Sequence, residues 1–170
     1  MIDDGLPIAA VASSTPRAPA LARAEEAGIE TAVFALADFA AREERDEAMA
    51  DWLAGRGVEL VVAAGFMELL RPAFLERFPD RIVNVHAALL PAFPGVRPVA
   101  DALAAGVAET GATVHLVDEG IDSGAVLLQE SVPVVDGDSV ETLRTRIQTV
   151  EHRLLPRAVR LLLADPVGAG

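Results

Sequence analysis

The chain contains no cysteine and no lysine. Without cysteine there is no disulfide, no thiolate nucleophile and no Cys-based zinc or iron–sulfur site. Without lysine, Schiff-base chemistry and the lysine of a P-loop are excluded. All 14 basic side chains are therefore arginine, set against 26 Asp and Glu, for a formal charge of -12. An acid excess of this size argues against nucleic acid and against an anionic membrane surface as partners, although a local arginine cluster can still take one phosphate. No apolar run approaches the roughly 18 residues that a spanning helix needs. No charged segment followed by an apolar one opens the chain, so the expected location is cytoplasmic.

What is present is the material for a core. Hydrophobic residues make up 52% of 170 positions and charged residues 24%, a balance that predicts a packed globular chain rather than a disordered one. A chain of this length buries roughly two-thirds of its unfolded surface, so it needs no metal or disulfide staple. One domain over 1–170 is expected, with no internal repeat and no low-complexity linker.

After a polar stub, Met1 to Leu6, apolar runs alternate with helical patterns. Pro7–Ala12 reads as a strand. Ser13-Ser14-Thr15-Pro16 supplies a helix start, with the helix running to Ala27 and closed by Gly28. Thr31–Leu36 is the next strand, and Asp38 is expected to cap a charged helix that ends at Gly55 and Gly57. Strand Glu59–Ala64, a short helix over Pro72–Phe78 and strand Arg81–Val85 follow. A proline-rich loop from Ala87 to Pro98 leads to a helix over Val99–Gly106, then to strands Thr113–Val117 and Ala125–Gln129. Asp138 with Glu141 spells a capping box. Val140, Leu143, Ile147, Val150, Leu154, Ala158 and Leu161 then recur at helical spacing, with Pro156 expected to kink or interrupt the helix. The tail from Asp165 to Gly170 reads as loop. Continuously apolar strands alternating with helices predict an α/β fold, a mostly parallel Rossmann-like sheet with helices on both faces. In such sheets sites lie beyond the carboxyl ends of the strands.

Three groups of polar residues stand out there. Asn84 and His86 lie two apart on one strand and so share a face. Burying an amide beside an imidazole is costly unless both find partners. Asp118-Glu119-Gly120-Ile121-Asp122-Ser123-Gly124 is an acidic loop without the spacing of a calcium loop. Its ordinary reading is a turn with solvated carboxylates. Its sharper reading sets one carboxylate beside His86, fixing the tautomer and favouring the charged ring. Gln148 and Glu151 share a face of the last helix, ordinarily a solvated one. His115 and Gln129 are polar residues in apolar strands. His115 is most simply a satisfied core histidine, with a support role near the acidic loop as the alternative. His86, His115 and His152 fall on separate elements without metal-ligand spacing, so no metal is expected.

Taken together, these residues resemble a family. Asn84-Val85-His86-Ala87-Ala88-Leu89-Leu90-Pro91-Ala92-Phe93-Pro94-Gly95 is similar to the Asn-x-His, Leu-Leu-Pro, Pro-Gly signature of the folate-dependent formyltransferases. Gly111 to His115, followed by Ile121-Asp122-Ser123-Gly124, resembles their second signature. Ala64-Gly65-Phe66-Met67 and Arg146 to His152 resemble the branch that acts on phosphoribosylglycinamide. The resemblance covers about 7–165 and implies the formyltransferase fold. It also implies formyl transfer from 10-formyltetrahydrofolate, as cosubstrate, to the amine of phosphoribosylglycinamide in purine biosynthesis. Asn84, His86 and Asp122 are then the catalytic residues. Asn84 and protonated His86 hold the oxyanion, His86 supplies a proton to the departing folate nitrogen, and Asp122 keeps His86 charged. By the same resemblance Met67, Glu68, Leu69 and Leu70, with Val117, Asp118, Glu119, Asp122 and Asn84, hold the folate. Arg42 lies near anionic groups, Gln148 and Glu151 bind the glycinamide substrate, and the protein works as a monomer or homodimer. The chain departs from the family at Ala87, usually proline, and at Val96-Arg97, where histidine is common. It offers no counterpart to the family's opening strand and phosphate loop, nor to its last strands. The alternatives are a 10-formyltetrahydrofolate hydrolase and a non-catalytic folate-binding remnant. A tRNA-directed formyltransferase would need a basic surface and an RNA-binding domain.

Overall fold

Short apolar runs form the strands and the periodic segments between them form the helices, in a computed structural model that describes residues 1–164. The loop expected from Asp165 on lies outside the described residues. By packing, the chain divides into two units: residues 1–61 with 68–81, and residues 62–67 with those from 82 on.

In the first unit β1 (Ala10–Ser13) and β2 (Glu30–Val33) pair in parallel, with Ala10 opposite Glu30 and Ser13 opposite Val33. The connecting α1 (Pro19–Glu26) turns buried Leu21 and Ala24 inward and packs on both strands. A single 3-10 turn, Leu36–Asp38, precedes α2 (Arg42–Ala54). Phe34 is buried between the rings of Phe39, at 6.4 Å, and Trp52, at 5.8 Å edge-on. α3 (Pro72–Arg77) packs on α2, with Phe74 and Phe78 both buried and 5.5 Å apart.

Several element ends differ from expectation, each because one polar group chose another partner. The Ser13 hydroxyl bonds Thr15 in a local turn, donating to its carbonyl at 2.8 Å and accepting from its N–H at 3.1 Å. Such turns compete with capping, and α1 starts instead at Pro19, whose fixed φ suits the first helical position. Asp38 sits in the 3-10 turn and does not cap α2. There Glu44 reaches back from the first turn to the Ala40 N–H at 2.9 Å.

β3 (Val61–Val62), of which Val62 belongs to the second unit, and β4 (Ile82–His86), β5 (Glu109–Leu116) and β6 (Val126–Pro133) of that unit form one sheet in that order. The Val61 and Ala63 N–H groups bond the Arg81 and Val83 carbonyls. The bonds step the same way along both segments, so β3 and β4 run parallel. The α/β class therefore holds, with parallel pairs and helices packed on strands. β5 is antiparallel to both β4 and β6. The acidic loop joining β5 to β6 carries no helix and is too short for the crossover that a parallel pair needs. α4 (Pro98–Ala104) and α5 (Val140–Ala164) complete the unit.

α5 packs on β4, β5 and β6 with Leu143, Ile147, Val150, Leu154, Leu155, Ala158, Val159 and Leu162 buried. Its cap is displaced by one residue from expectation. Ser139 Oγ accepts the Thr142 N–H at 3.1 Å, and Thr142 Oγ1 accepts the Ser139 N–H at 2.9 Å. This is a reciprocal box of the expected kind, made by Ser139 rather than Asp138. Asp138 is occupied by Arg146, at 2.8 and 2.9 Å, which holds its carboxyl well below the ordinary range. Val140 and Leu161, expected on the buried stripe, are exposed at 45% and 53%. α5 also runs through Pro156 unbroken. A proline inside a helix costs roughly 3 kcal/mol. Each fully buried Leu or Val returns about 1.5–3 kcal/mol, and Leu154, Leu155, Val159 and Leu162 flank the proline in the core. Among the described residues no helix is long and apolar enough to cross a membrane.

Candidate active site

The site grows from alternation on β4. Val83 points to one face of the sheet and is fully buried, while Asn84 and His86 point to the other. On β5, Thr113 stands directly opposite His86 and His115 opposite Asn84, and on β6 Gln129 stands opposite Thr113. Directly paired residues share a face, so this side of an otherwise apolar sheet carries two polar rows. A register shift between Val114 and His115 marks a bulge beside them, a common place for one. Gly111 lies on the same face. A Cβ there would stand 2.6 Å from Leu89 Cδ2 and 2.1 Å from the Glu130 carbonyl oxygen, so glycine lets the loop after β4 close over the sheet.

Asp122 arrives from the β5–β6 loop with φ at 53°, a left-handed conformation that Asp tolerates better than most residues. Its Oδ2 accepts the Gly95 N–H at 2.8 Å and lies 3.3 Å from His86 Nδ1. Its Oδ1 lies 3.5 Å from His115 Nε2. His86 Nε2 is 2.8 Å from the Phe93 carbonyl oxygen. A carbonyl only accepts, so Nε2 carries hydrogen. The proton that would make the ring cationic then sits at Nδ1, facing Asp122. The same logic fixes His115, whose Nδ1 donates to the Leu116 carbonyl at 2.8 Å. Its Nε2, unprotonated in the neutral ring, receives the Asn84 amide at 3.4 Å. Phe93 has φ at 54°. For a bulky residue this conformation costs on the order of 1–3 kcal/mol and persists only where neighbours hold it. Here they are the bonds that Phe93 and Gly95 make to His86 and Asp122. The exposures of His86, 6%, and Asp122, 13%, put the pair out of bulk water, where its charge interaction is strong.

Asn84, His86 and Asp122, the three residues expected from sequence, thus meet in one place. Elsewhere in this unit Val117 closes the strand by donating to the Ile82 carbonyl. Asp118 spends its Oδ1 on the Gly120 N–H at 3.0 Å and the Ser123 hydroxyl at 2.8 Å, while Glu119 is exposed. On α5, Gln148 is exposed and Glu151 half-buried. Burial pushes the Glu151 carboxyl up, against the pull of His152, Arg144 and His86. Met67 is 71% exposed.

In the other unit, Glu68 is gripped by Arg45 at 3.0 Å and by Arg42 at 3.3 Å; Leu69 is exposed and Leu70 half-buried. Arg45 and Asp46 are wholly buried and paired at 2.7 Å, and Asp46 also accepts the Arg71 N–H at 2.9 Å. Among the described residues no group of three or more His, Cys, Asp or Glu is placed to hold a metal.

Sequence reasoning passed over Thr113, the Phe93 carbonyl and the Gly95 N–H. Only Thr113 left a signal: a hydroxyl in an apolar strand needs a partner.

Residues 3–159 match the family described as formyl transferase. The chain belongs to the formyl transferase family. Among its curated relatives, phosphoribosylglycinamide formyltransferase of Mycobacterium tuberculosis (strain H37Rv) is 52% identical over 144 residues, covering 85% of this chain and 67% of that protein. The enzyme of the same name from Haemophilus influenzae is 39% identical over 153 residues, covering 90% and 72%. Among solved structures of formyl transferases, glycinamide ribonucleotide transformylase 1 from Symbiobacterium toebii superposes with a TM-score of 0.91 at 44% identity. That match covers 95% of this chain and 77% of the other.

Proposed function

We propose that the chain transfers a formyl group from 10-formyltetrahydrofolate to the amine of phosphoribosylglycinamide, a step of purine biosynthesis. The observation that carries this reading is an amide and a carboxylate-backed imidazole projecting together from the end of β4. The nucleotide's amine attacks the formyl carbon and the carbonyl becomes a tetrahedral oxyanion. The Asn84 amide donates to it and the positive charge of the His86 ring stabilises it, where preorganised groups in a dry site are most effective. His86 delivers one proton to the folate nitrogen, and the imidazole so left neutral takes up the proton that the attacking nitrogen releases. The carbon–nitrogen bond to folate then breaks, leaving tetrahydrofolate and the formylated nucleotide. Asp122 faces the ring while it carries charge.

Met67, Glu68, Leu69, Leu70, Val117, Asp118, Glu119, Asp122 and Asn84 are assigned to the folate. Arg42, which Glu68 already pairs, is assigned to its anionic groups. Gln148 and Glu151 are assigned to the substrate amine and its neighbours. A carboxyl whose pKa is raised, as that of Glu151 is, suits a partner that brings positive charge. The protein acts on small molecules in the cytoplasm, as a monomer or homodimer. The test is tetrahydrofolate release from 10-formyltetrahydrofolate with and without the nucleotide. Release that requires the nucleotide supports transfer. Equal release without it makes the protein a hydrolase, and no release in either case removes the enzymatic reading.

A further inference from the structure

Gln129 stands on β6 as a polar residue that the catalytic scheme does not use, and its bonds lead back to His86. Its Nε2 donates to Thr113 Oγ1 at 2.8 Å and to the Leu90 carbonyl at 3.0 Å. Thr113 is fully buried. Its hydroxyl donates to the Ala88 carbonyl at 2.6 Å and accepts the Leu90 N–H at 3.1 Å. With Gln129 as second donor, the one proton and two lone pairs of that hydroxyl are all used. Both hydrogens of the Gln129 amide are used as well, which orients the amide: its oxygen in the same place would face a carbonyl. Residues 88–90 are therefore stitched to the sheet at the start of the loop that ends in Phe93 and Gly95. Those two residues supply the carbonyl on His86 Nε2 and the N–H on Asp122 Oδ2. His86, Thr113 and Gln129 also form one row across three strands.

We infer that Gln129 and Thr113 are positioning residues. They hold the 88–95 loop in register, so that the Phe93 carbonyl keeps His86 in its Nε2–H form with Nδ1 turned to Asp122. The inference rests on the formyl-transfer reading for its effect on rate, but not for its effect on the imidazole. A site this close to the chemistry is sensitive to small displacement. A loop freed from these bonds should lower kcat about tenfold, with KM little changed.

The experiment compares Gln129→Ala, Thr113→Val and Thr113→Ser with the parent, by steady-state kinetics and by imidazole-nitrogen NMR of His86. Gln129 is exposed, so its variant tests the idea even if Thr113→Val fails to fold. Expected are a tenfold loss of kcat and faster exchange of the Nε2 proton in Gln129→Ala and in folded Thr113→Val, with both restored in Thr113→Ser. Unchanged kcat and unchanged proton exchange in folded Gln129→Ala would overturn the inference. If the parent transfers no formyl group but Gln129→Ala still shows faster exchange than the parent, the function is refuted and the positioning role stands.

Discussion

Replacing Asp122 by Asn removes a charge while keeping a shape. The asparagine carbonyl oxygen can still accept the Gly95 N–H that now lies 2.8 Å from the carboxylate, so the loop and the fold should survive. What is lost is the attraction between the carboxylate and an imidazolium whose Nδ1 lies 3.3 Å away. At an effective dielectric constant of 20 that separation corresponds to about 5 kcal/mol. Some of this returns because a lone charge need no longer be desolvated, leaving roughly 3–4 kcal/mol of barrier, or about 10²–10³ in kcat. The assay is the nucleotide-dependent formation of tetrahydrofolate under saturating substrates, with circular dichroism to confirm the fold. A folded Asp122→Asn protein with kcat within threefold of the parent would refute the assignment of this carboxylate as the partner of His86 in the reaction.

Three other substitutions test separate parts of the account. Asn84→Ala removes the donor assigned to the oxyanion and should cost about 3–4 kcal/mol in kcat while leaving the melting temperature close to the parent's, read by kinetics and calorimetry. Arg45→Met leaves Asp46 as a buried carboxylate without its 2.7 Å partner. It should destabilise by roughly 3–5 kcal/mol, a fall of about 10 °C in Tm, whereas an unchanged Tm would mean that the pair is not buried in solution. Glu151→Gln should separate stability from activity. Burial raises the Glu151 carboxyl above its ordinary 4.5, so below that value the folded and unfolded carboxyls are both protonated and the variant gains nothing. As pH climbs through 4.5 the unfolded carboxyl ionises first, favouring unfolding. The variant, free of that penalty, should therefore be the more stable protein at neutral pH. Its KM for the nucleotide should rise. A Tm gain equal at both ends of the pH range would contradict this.

How far the fold was legible depended on whether a signal came from many residues or one. Helix α5 was visible because its apolar side chains recur at helical spacing, and α2, β4 and β5 because a charged segment closed by glycines alternates with apolar runs. Ends were misread where adjacent polar groups competed. Ser139 caps α5 while Asp138 turns to Arg146, and nothing in the order Asp-Ser decides between them. Pro156 was expected to kink or interrupt the helix because its cost is local, whereas the burial that offsets it is tertiary. The pairing of Asn84 with His86 was legible from a spacing of two. Their link to Asp122 came only from the resemblance, since no local pattern says which carboxylate of the acidic loop turns inward. The buried Arg45–Asp46 pair and the Phe93 carbonyl remained hidden because backbone acceptors and long-range partners leave no mark in composition, and Thr113 showed only as a hydroxyl in an apolar strand, without its partners.

The central claim is that these residues move a formyl group from folate to a nucleotide's amine. The most direct measurement is NMR of an isotope-labelled formyl carbon, followed after mixing the protein with labelled 10-formyltetrahydrofolate and phosphoribosylglycinamide. The account predicts that the label's resonance moves from the folate nitrogen to an amide of the nucleotide, and that with no nucleotide present it stays on the folate. Appearance of the label as free formate, at the same rate whether or not the nucleotide is present, would contradict it.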